Sequence, residues 1–512
     1  MRTRLIVAVA TLIATVVAGA ATLTSDRAAG SAVIEQVGHN DLGARGVNAS
    51  VAVADHCAYV GSRGGGAIAV LDVADPANPR VAAELAAHPR TSARELRIVQ
   101  SSHVLVVLNM SLETGGGVNT LDFYRWANDC VHPLAVGTYS FGGRLPHEFY
   151  LWQDPAQPQR VLLFVAMFFS GGSNGHADLE VVDASDPAAP RFLGRWDGPA
   201  ALGPAPRLHS ISLSNDGRRA YLSAWTAGLL LADTSDYASG RSNPQLRLLT
   251  APADAYRNPP GNVHSTVAVP GRDLVLTTDE RYPPPGGLGC PFGSGHLVDV
   301  ADPAHPRLVS TLRVAENDPQ RCAAVAHQTW STHNATLTPS LALISWYSAG
   351  FQVFDISAPG QPVQLAEIRP TGVNPKERDT ALGFGATLTW STPVIHDGLI
   401  FVVDQNQGMF IFRYRGPHQD EVQRLGFAEG NSNQTAVLGA IPVATSPALA
   451  TPAPSSIAVT PAAPLVATAA TGGDTRWWRA PWFVVVIVAA LVGAVGAPLL
   501  LRLRRRRSAR RM

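Results

Sequence analysis

The chain has 512 residues, of which 46% are hydrophobic and 15% charged, and its formal net charge is +1. This length and apolar content allow a large core or several domains. A charge so close to zero offers no electrostatic basis for nucleic-acid binding, so we expect no nucleic-acid partner.

The N-terminus has the features of a secretory signal. Residues 1–4 (MRTR) form a short basic segment, residues 5–18 form a short apolar run, and residues 18–20 (AGA) fit the A-x-A pattern of a cleavage site. We therefore predict a signal peptide over residues 1–20, with an uncleaved anchor helix as the alternative.

The phrase VLDVADPANPR at residues 70–80 recurs along the chain. It returns at 181–191, 297–307 and 353–363, with a weaker echo at 230–237. Each strong copy is a β-branched run that ends in Asp, followed by a turn and by a proline before the next strand. Recurrence at this spacing is typical of propellers, solenoids and other repeat folds.

Two repeated features are explained by structure alone. The tryptophans of the similar turns at 223–228 and 345–350 are expected to pack within the sheets. The Asp of each repeated phrase is expected to stabilise the turn that follows it. These aspartates are Asp72, Asp183, Asp233, Asp299 and Asp355.

Residues 31–416 divide into seven units of short strands. The last unit has no outer strand of its own, and residues 31–41 have the strand character needed to supply it. We therefore predict an all-β, seven-bladed β-propeller over 31–416, closed by pairing of its N- and C-terminal strands. The second strands of the units are expected at 57–62, 104–110, 161–168, 220–225, 273–279, 342–347 and 399–404.

The segment VAVADHCAYVGSRGGGAIAVLDVADPANPR at 51–80 resembles an LVIVD repeat, a β-propeller repeat of bacterial exported proteins. The resemblance is strong in units 1, 3, 5 and 6, whereas unit 2 lacks the Asp-Pro turn. It implies a propeller and an exported location but no particular activity. A weaker likeness to selenium-binding-protein and methanethiol-oxidase propellers, which carry His in the channel, transfers no residue role.

The four cysteines allow a test of the blade order. Cys57 and Cys130 fall at turns on the lower face of adjacent blades, while Cys290 and Cys322 fall in loops on the upper face. Other pairings would span the disc, so we predict the disulfides Cys57–Cys130 and Cys290–Cys322. An exported compartment permits both bonds.

Histidine opens the inner strand in four consecutive units, as His147, His209, His264 and His333. Inner strands surround the channel of a propeller, so the four imidazoles are expected to converge at its upper mouth. Neutral imidazole is the commonest transition-metal ligand and suits Cu or Zn. We predict these four residues as metal ligands, with Cu or Zn as the cofactor.

Glu148, Arg94 and His327 are expected to lie around this cluster. The alternative is structural: the histidines would bind neighbouring blades or channel water, and their repetition would be inherited. Against that, the other units carry the repeat without His, since their equivalent positions are approximately Asn48, Arg94 and Thr392.

The C-terminal part predicts a tether. Residues 417–476, rich in Ala, Pro and Thr towards their end, are expected to form an unfolded stalk. The apolar run that follows predicts a single transmembrane helix at 480–502, with a buried soluble helix as the alternative. The Arg-rich residues 503–512 then form a cytoplasmic tail, which places the propeller outside the cell membrane.

We therefore predict a membrane-anchored extracytoplasmic propeller that acts as a binding module through its upper face and channel. Its partner would be a cell-envelope protein, a glycan or a small ligand. Two alternatives stay open: a metal-dependent oxidoreductase or hydrolase that uses the four histidines, and a structural scaffold. No catalytic residue is assigned.

Overall fold

The computed structural model describes residues 32–112, 115–168, 178–203, 207–258, 261–284 and 289–438. The predicted signal peptide (1–20), transmembrane helix (480–502) and basic tail (503–512) lie outside these residues. Within the described part, no helix is both long and apolar enough to span a membrane.

The described residues begin with strand β1 (Val33–Asn40) and continue with an eight-stranded antiparallel sheet. One bridge, between Ser62 and Ala93, joins the two halves of that sheet. The first half contains β2 (Asn48–Ala54), β3 (Cys57–Ser62), β4 (Ile68–Asp72) and β5 (Arg80–Leu85). The second half contains β6 (Thr91–Val99), β7 (Val104–Ser111), β8 (Thr120–Arg125) and β9 (Leu134–Ser140).

Four separate sheets of four antiparallel strands follow in chain order. The first sheet contains β10 (Glu148–Gln153), β11 (Val161–Ala166), β12 (Leu179–Asp183) and β13 (Arg191–Trp196). The second contains β14 (Ser210–Leu213), β15 (Arg219–Ser223), β16 (Leu229–Asp233) and β17 (Arg247–Leu248). The third sheet contains β18 (Ser265–Ala268), β19 (Leu274–Thr278), β20 (Gly295–Asp299) and β21 (Arg307–Leu312). The fourth contains β22 (Ala335–Leu337), β23 (Leu341–Trp346), β24 (Gly350–Asp355) and β25 (Val363–Ile368).

The last sheet has six strands in the order β1-β28-β27-β26-β29-β30. N-terminal β1 is the outer neighbour of β28, with a register that runs from Val33 opposite Arg415 to Asn40 opposite Met409. The N- and C-terminal strands therefore pair, as predicted. The new strands are β26 (Val394–His396), β27 (Leu399–Asp404), β28 (Gly408–Arg415), β29 (Leu425–Glu429) and β30 (Thr435–Val437).

Two predictions about the architecture need correction. The strands form an all-β propeller, but their pairing gives six sheets rather than the seven separate blades expected, because the first two units share one sheet. Folded structure also continues past residue 416, where we expected the stalk to begin. Helix α3 (Gln419–Gln423) and the β29-β30 hairpin occupy that region, since their apolar residues bury against β26.

The helices of the described residues are all short. Besides α3, the α-helices are α1 (Ser235–Ala238) and α2 (Pro319–Cys322). The 3₁₀ turns are Leu42–Ala44, Gln100–Ser102, Ala200–Leu202, Ala315–Asn317, Ala323–Val325 and Thr380–Leu382.

The core lies between neighbouring sheets. Every residue of β11 is buried, whereas outer strand β13 is largely exposed. Leu162 and Phe164 share one apolar cluster with Leu222 and Leu230 of the next sheet. Apolar residues on both faces of the middle strands thus bury against the sheets on either side, which is the packing a propeller requires.

The repeated phrase stabilises the turns, as predicted for its aspartates. In every copy the Asp side chain accepts a hydrogen bond of 2.8–3.0 Å from the backbone N–H two residues later. The following proline carbonyl contacts the outer strand of the preceding unit: Ser310 Oγ of β21 donates to Pro359 O at 2.5 Å. At Gly137 the backbone passes so close to Pro187 O that a Cβ would not fit. The phrase therefore also links adjacent units.

Both predicted disulfides are confirmed. Cys57 bonds to Cys130, with a Cα–Cα distance of 6.0 Å, and Cys290 bonds to Cys322, with a Cα–Cα distance of 5.7 Å. The strand assignments on which the pairing was based are therefore correct at these four turns and loops.

The β29-β30 hairpin closes the lower end of the channel. Strand β29 pairs with the channel-facing edge of β26, and the residues after it contact inner strands of other units. Asn433 exchanges two 2.8 Å hydrogen bonds with the backbone of Gln153. Gln434 binds the backbone of Ile98 at 2.7 Å and of Gln100 at 2.8 Å. Access to the channel is therefore restricted from below.

Candidate metal centre

The four histidines occupy one equivalent position in successive units. The backbone N–H of each donates a hydrogen bond of 2.8–2.9 Å to a carbonyl at the end of the adjacent second strand. The acceptors for His147, His209, His264 and His333 are the carbonyls of Ala166, Ser223, Thr278 and Ser345. The shared backbone position points all four side chains towards the upper mouth of the channel.

The imidazoles form a continuous buried arc. Successive ring centroids lie 4.3, 4.0 and 4.4 Å apart from His147 through His209 and His264 to His333. None of the four residues is more than 3% exposed. At one end of the arc, His147 Nε2 lies 2.8 Å from His209 Nε2. The structure therefore brings all four predicted residues together.

Two carboxylates complete the cluster. Glu280, two residues beyond β19, places its oxygens 3.9 Å from His209 Nε2, 3.6 Å from His264 Nε2 and 3.7 Å from His333 Nε2. Glu148 Oε1 lies 3.8 Å from His264 Nε2. Each of three overlapping trios of these side chains holds its ligand atoms within 4.8 Å of one another. These separations suit atoms that share one bound cation.

The orientation of His333 exposes a lone pair to the cluster. Its Nδ1 lies 2.6 Å from the backbone carbonyl of Trp390. A carbonyl can only accept, so Nδ1 carries the proton and Nε2 keeps its lone pair on the side of Glu280. A backbone acceptor on the second ring nitrogen is the usual way in which proteins orient a metal-binding histidine.

Several polar atoms of the cluster have no hydrogen-bond partner among the described residues. They are both ring nitrogens of His264, Nδ1 of His209, Nε2 of His333 and both carboxylate oxygens of Glu148. Each such buried group costs about 1–3 kcal/mol. A concentration of them in one place indicates a site for an ion or a ligand.

Burial sets the protonation of these groups. It lowers the pKa of His264 to about 4, and it holds the pKa values of His147, His209 and His333 well below the usual range, with neighbouring positive charge adding to the effect. Burial also raises the pKa of Glu148 well above its usual value. At neutral pH the imidazoles are therefore uncharged, which is the form that binds metals.

Aromatic rings enclose the arc. Trp225 stacks on His209 at 4.9 Å and 17°, and Tyr347 meets His333 edge-on at 5.2 Å. Both residues have positive φ, 47° and 25° respectively, which is rare for bulky side chains and is concentrated at functional sites. Trp346 packs in the core as expected. Trp225 does not, so the packing prediction was wrong for that residue.

The surrounding polar residues were partly predicted. Glu148 lies in the cluster, and Arg94 Nη2 lies 3.4 Å from His147 Nε2. His327 is exposed, and its ring contacts Gln328, so its place beside the cluster stays a prediction. It lies in a loop, and the sequence does not show how far that loop is from the channel.

Glu280 and Tyr347 are the residues that sequence reasoning missed. The Tyr347 hydroxyl donates a hydrogen bond to Glu280 Oε1, and both burial and this carboxylate raise the pKa of the phenol well above its usual value. Glu280 has no counterpart in the repeat, so periodicity could not find it. The one available signal is that an acidic residue closely follows the second strand of a unit that also carries a channel histidine.

The fold and this cluster define a class: a β-propeller with a buried imidazole–carboxylate site at one mouth of its channel. The family model of the LVIVD repeat matches residues 45–85 and 174–198. These two segments are therefore LVIVD repeats, and the sheets that contain them have a propeller arrangement, as the resemblance implied.

No curated protein matches the sequence, and the likeness to selenium-binding-protein propellers is therefore without support. Among solved structures, the chain is similar to Raptor of Chaetomium thermophilum, with 12% identity and a TM-score of 0.47 over 75% of this chain. The chain spans only 29% of the length of that protein, and a similarity this low carries no argument about function.

Proposed function

We propose that this protein is a metal-binding propeller that holds a divalent first-row transition ion, Cu or Zn, in the His–Glu cluster at the upper mouth of its channel. One observation carries the proposal: neutral imidazoles and carboxylates converge in a buried space where several of their polar atoms have no partner. A cation would satisfy one ring nitrogen of each binding imidazole and a carboxylate oxygen together, because each of these atoms would donate a lone pair to it.

The donor set favours a borderline ion over Mg²⁺ or Ca²⁺. Imidazole nitrogen suits Zn, Cu, Fe and Ni, whereas Mg²⁺ and Ca²⁺ prefer oxygen alone. His209, His264 and Glu280 form the trio at the centre of the arc, and His147 and His333 lie on either side of it. The bound ion would act as a Lewis acid or a redox centre.

Metal analysis of the purified protein tests this function. We expect about one Cu or Zn per chain after loading and dialysis, and loss of stoichiometric metal in His264→Ala and His209→Ala. His305→Ala is the matched control, because that imidazole is exposed and pairs with Asp302, away from the cluster residues. A wild-type protein that holds no stoichiometric metal after loading with either ion would contradict the proposal.

The second candidate function is a metal-dependent enzyme, an oxidoreductase or a hydrolase. The observation that favours it is the buried Arg94, which lies beside the cluster and can stabilise a negative charge on a bound ligand. If metal is bound, turnover in redox and hydrolytic substrate screens that disappears in His264→Ala would support catalysis. Without turnover, binding of a small ligand, glycan or cell-envelope protein is the function we expect.

We also propose that the propeller is exported and tethered outside the cell membrane. The two disulfides support export, because such bonds persist in oxidising compartments. The signal-like residues 1–20 and the apolar run at 480–502 support the tether. Labelling of intact cells with a membrane-impermeant reagent should modify the propeller. Labelling only after lysis would contradict this location.

We further infer seven blades. The eight-stranded sheet comprises two four-stranded halves, β2–β5 and β6–β9, joined by the single bridge between Ser62 and Ala93. The six-stranded sheet comprises one four-stranded unit, with β1 as its outer strand, plus the β29-β30 hairpin. With the four separate sheets this grouping supports seven units. A crystal structure with another number of units around the channel would contradict the inference.

A further inference from the structure

Arg94 is a poorly compensated buried charge at the channel mouth. It lies in β6, next to a bulge between Ala93 and Glu95, and is 7% exposed. Among the described residues its one hydrogen-bond contact is Nη2 to His147 Nε2, at 3.4 Å, and its Nε has no partner. No carboxylate of the described residues lies within ion-pairing distance of it.

The two arginines near Arg94 differ from it in this respect. Arg63 pairs with Asp379 at 2.7 Å, and Arg97 pairs with Glu95 at 3.0 Å. Arg63 and Arg94 both lie over the ring of Trp390, at 5.2 and 5.3 Å from its centroid. A buried guanidinium normally requires a negative partner. Arg94 therefore occupies a site that lacks one.

Metal binding would increase the need for a negative charge beside Arg94. The lone pair of His147 Nε2 serves either the guanidinium of Arg94 or a metal ion, but not both. With a cation bound, Arg94 loses its hydrogen-bond contact and faces a second positive charge in a medium of low polarity. An anion between the two charges removes both costs.

We propose that the metal centre takes a small carboxylate ligand, with one carboxylate oxygen on the metal and the other held by the guanidinium of Arg94. This inference rests on the proposed metal function. Carboxylate matches the planar donor fork of arginine, and it is also a good ligand for Zn and Cu. The ligand must be small, because Trp225, Trp390 and Tyr347 enclose the cluster.

Acetate titration of the Cu(II)-loaded full-length protein tests the proposal, with Cu(II) absorption and electron paramagnetic resonance as readouts. We expect acetate to shift both spectra in a saturable way and neutral, isosteric acetamide to leave them unchanged. This comparison uses the wild-type chain alone, so it does not depend on the folding of any variant. Equal responses to the two probes, or no response to acetate, would overturn the proposal.

Variants then locate the anion site. Arg94→Gln should keep one Cu per chain but weaken acetate binding by about tenfold or more, since a charged hydrogen bond is lost. Arg94→Lys should recover part of that loss. Arg63→Gln is the matched control, because its charge is already paired with Asp379, and we expect its acetate affinity to stay within about twofold of wild type.

The outcomes separate the two proposals. Absence of stoichiometric metal after loading with either Cu or Zn contradicts the metal function itself. Stoichiometric Cu together with the same acetate affinity in wild type and Arg94→Gln contradicts the carboxylate site and leaves the metal function standing. A loss of affinity in Arg63→Gln as large as in Arg94→Gln also overturns the assignment to Arg94.

Discussion

The polar groups at the turns of the repeated phrase have hydrogen-bond partners, whereas several polar groups at the mouth of the channel have none among the described residues. At the turns, each repeat Asp has a backbone partner, and Asp72 also pairs with Arg80 at 3.2 Å. At the mouth, His264 and Glu148 are buried, yet their ring nitrogens and carboxylate oxygens have no hydrogen-bond partner among the described residues. The comparison teaches that the repeated residues maintain the fold, whereas the binding chemistry lies in residues that the repeat does not require.

The largest effect on stability should come from the covalent link between the first two units. The double variant Cys57→Ala/Cys130→Ala releases a loop with a sequence separation of 73. Loop entropy predicts a loss of about 4 kcal/mol in the free energy of unfolding. Urea unfolding measures this loss, and metal content at a temperature where the variant is folded should be unchanged. A change below about 1 kcal/mol, or loss of metal from folded protein, would contradict the separation of the two regions.

A pH-dependent effect should come from the channel hairpin. Burial raises the pKa of Glu429 to about 7 from 4.5. The protonated form is favoured on folding, so its stabilising contribution is complete below about pH 4.5 and is lost as the pH rises through about 7. Compared with Glu429→Gln, wild-type protein should lose about 3 kcal/mol between these pH values.

Urea unfolding of both proteins across that pH range measures the difference, with chelator present to exclude effects of metal. Glu429→Asp is the matched control, since it keeps a titratable carboxyl. Parallel pH profiles for wild type and Glu429→Gln would show that this carboxyl does not titrate differently in the folded protein.

A smaller effect is expected where adjacent units touch at the periphery. Gly137→Ala places a Cβ against Pro187 O, so the backbone must shift. We expect a loss of about 2 kcal/mol in unfolding free energy, as for other overpacked sites. Gly143→Ala is the control, because no heavy atom of the other described residues, its two chain neighbours aside, lies within 4 Å of its Cβ position. Equal midpoints of thermal unfolding in the two variants would contradict the contact.

The smallest effect should come from a single turn. Asp299→Ala removes the acceptor of the 2.9 Å hydrogen bond from Ala301 N. By analogy with helix caps, the loss should be about 1 kcal/mol, with no change in metal content. Asp299→Asn, which keeps an acceptor oxygen, should lose less. Metal loss on either substitution would place part of the site at the turns.

The positions of both regions could largely be predicted from the sequence, because the turns and the channel histidines each recur at one position of the repeated unit. The phrase at 70–80 predicted the turns, and alignment on the inner strands predicted the convergence of His147 and His333. Glu280 and Trp225 were missed or misread, since their roles depend on how loops turn back over the channel. The hairpin after residue 424 was missed because its pairing with β26 depends on an edge that only the folded ring provides.

The central claim is that the imidazole arc binds a transition ion, and X-ray absorption at the metal edge of the Zn- or Cu-loaded protein tests it most directly. The account predicts nitrogen ligands at about 2.0–2.1 Å, together with the multiple-scattering pattern of several imidazoles. His264→Ala, which should lose stoichiometric metal, should also lose this pattern, whereas His305→Ala should keep it. A spectrum of oxygen ligands alone, or an imidazole pattern retained in His264→Ala, would contradict the account.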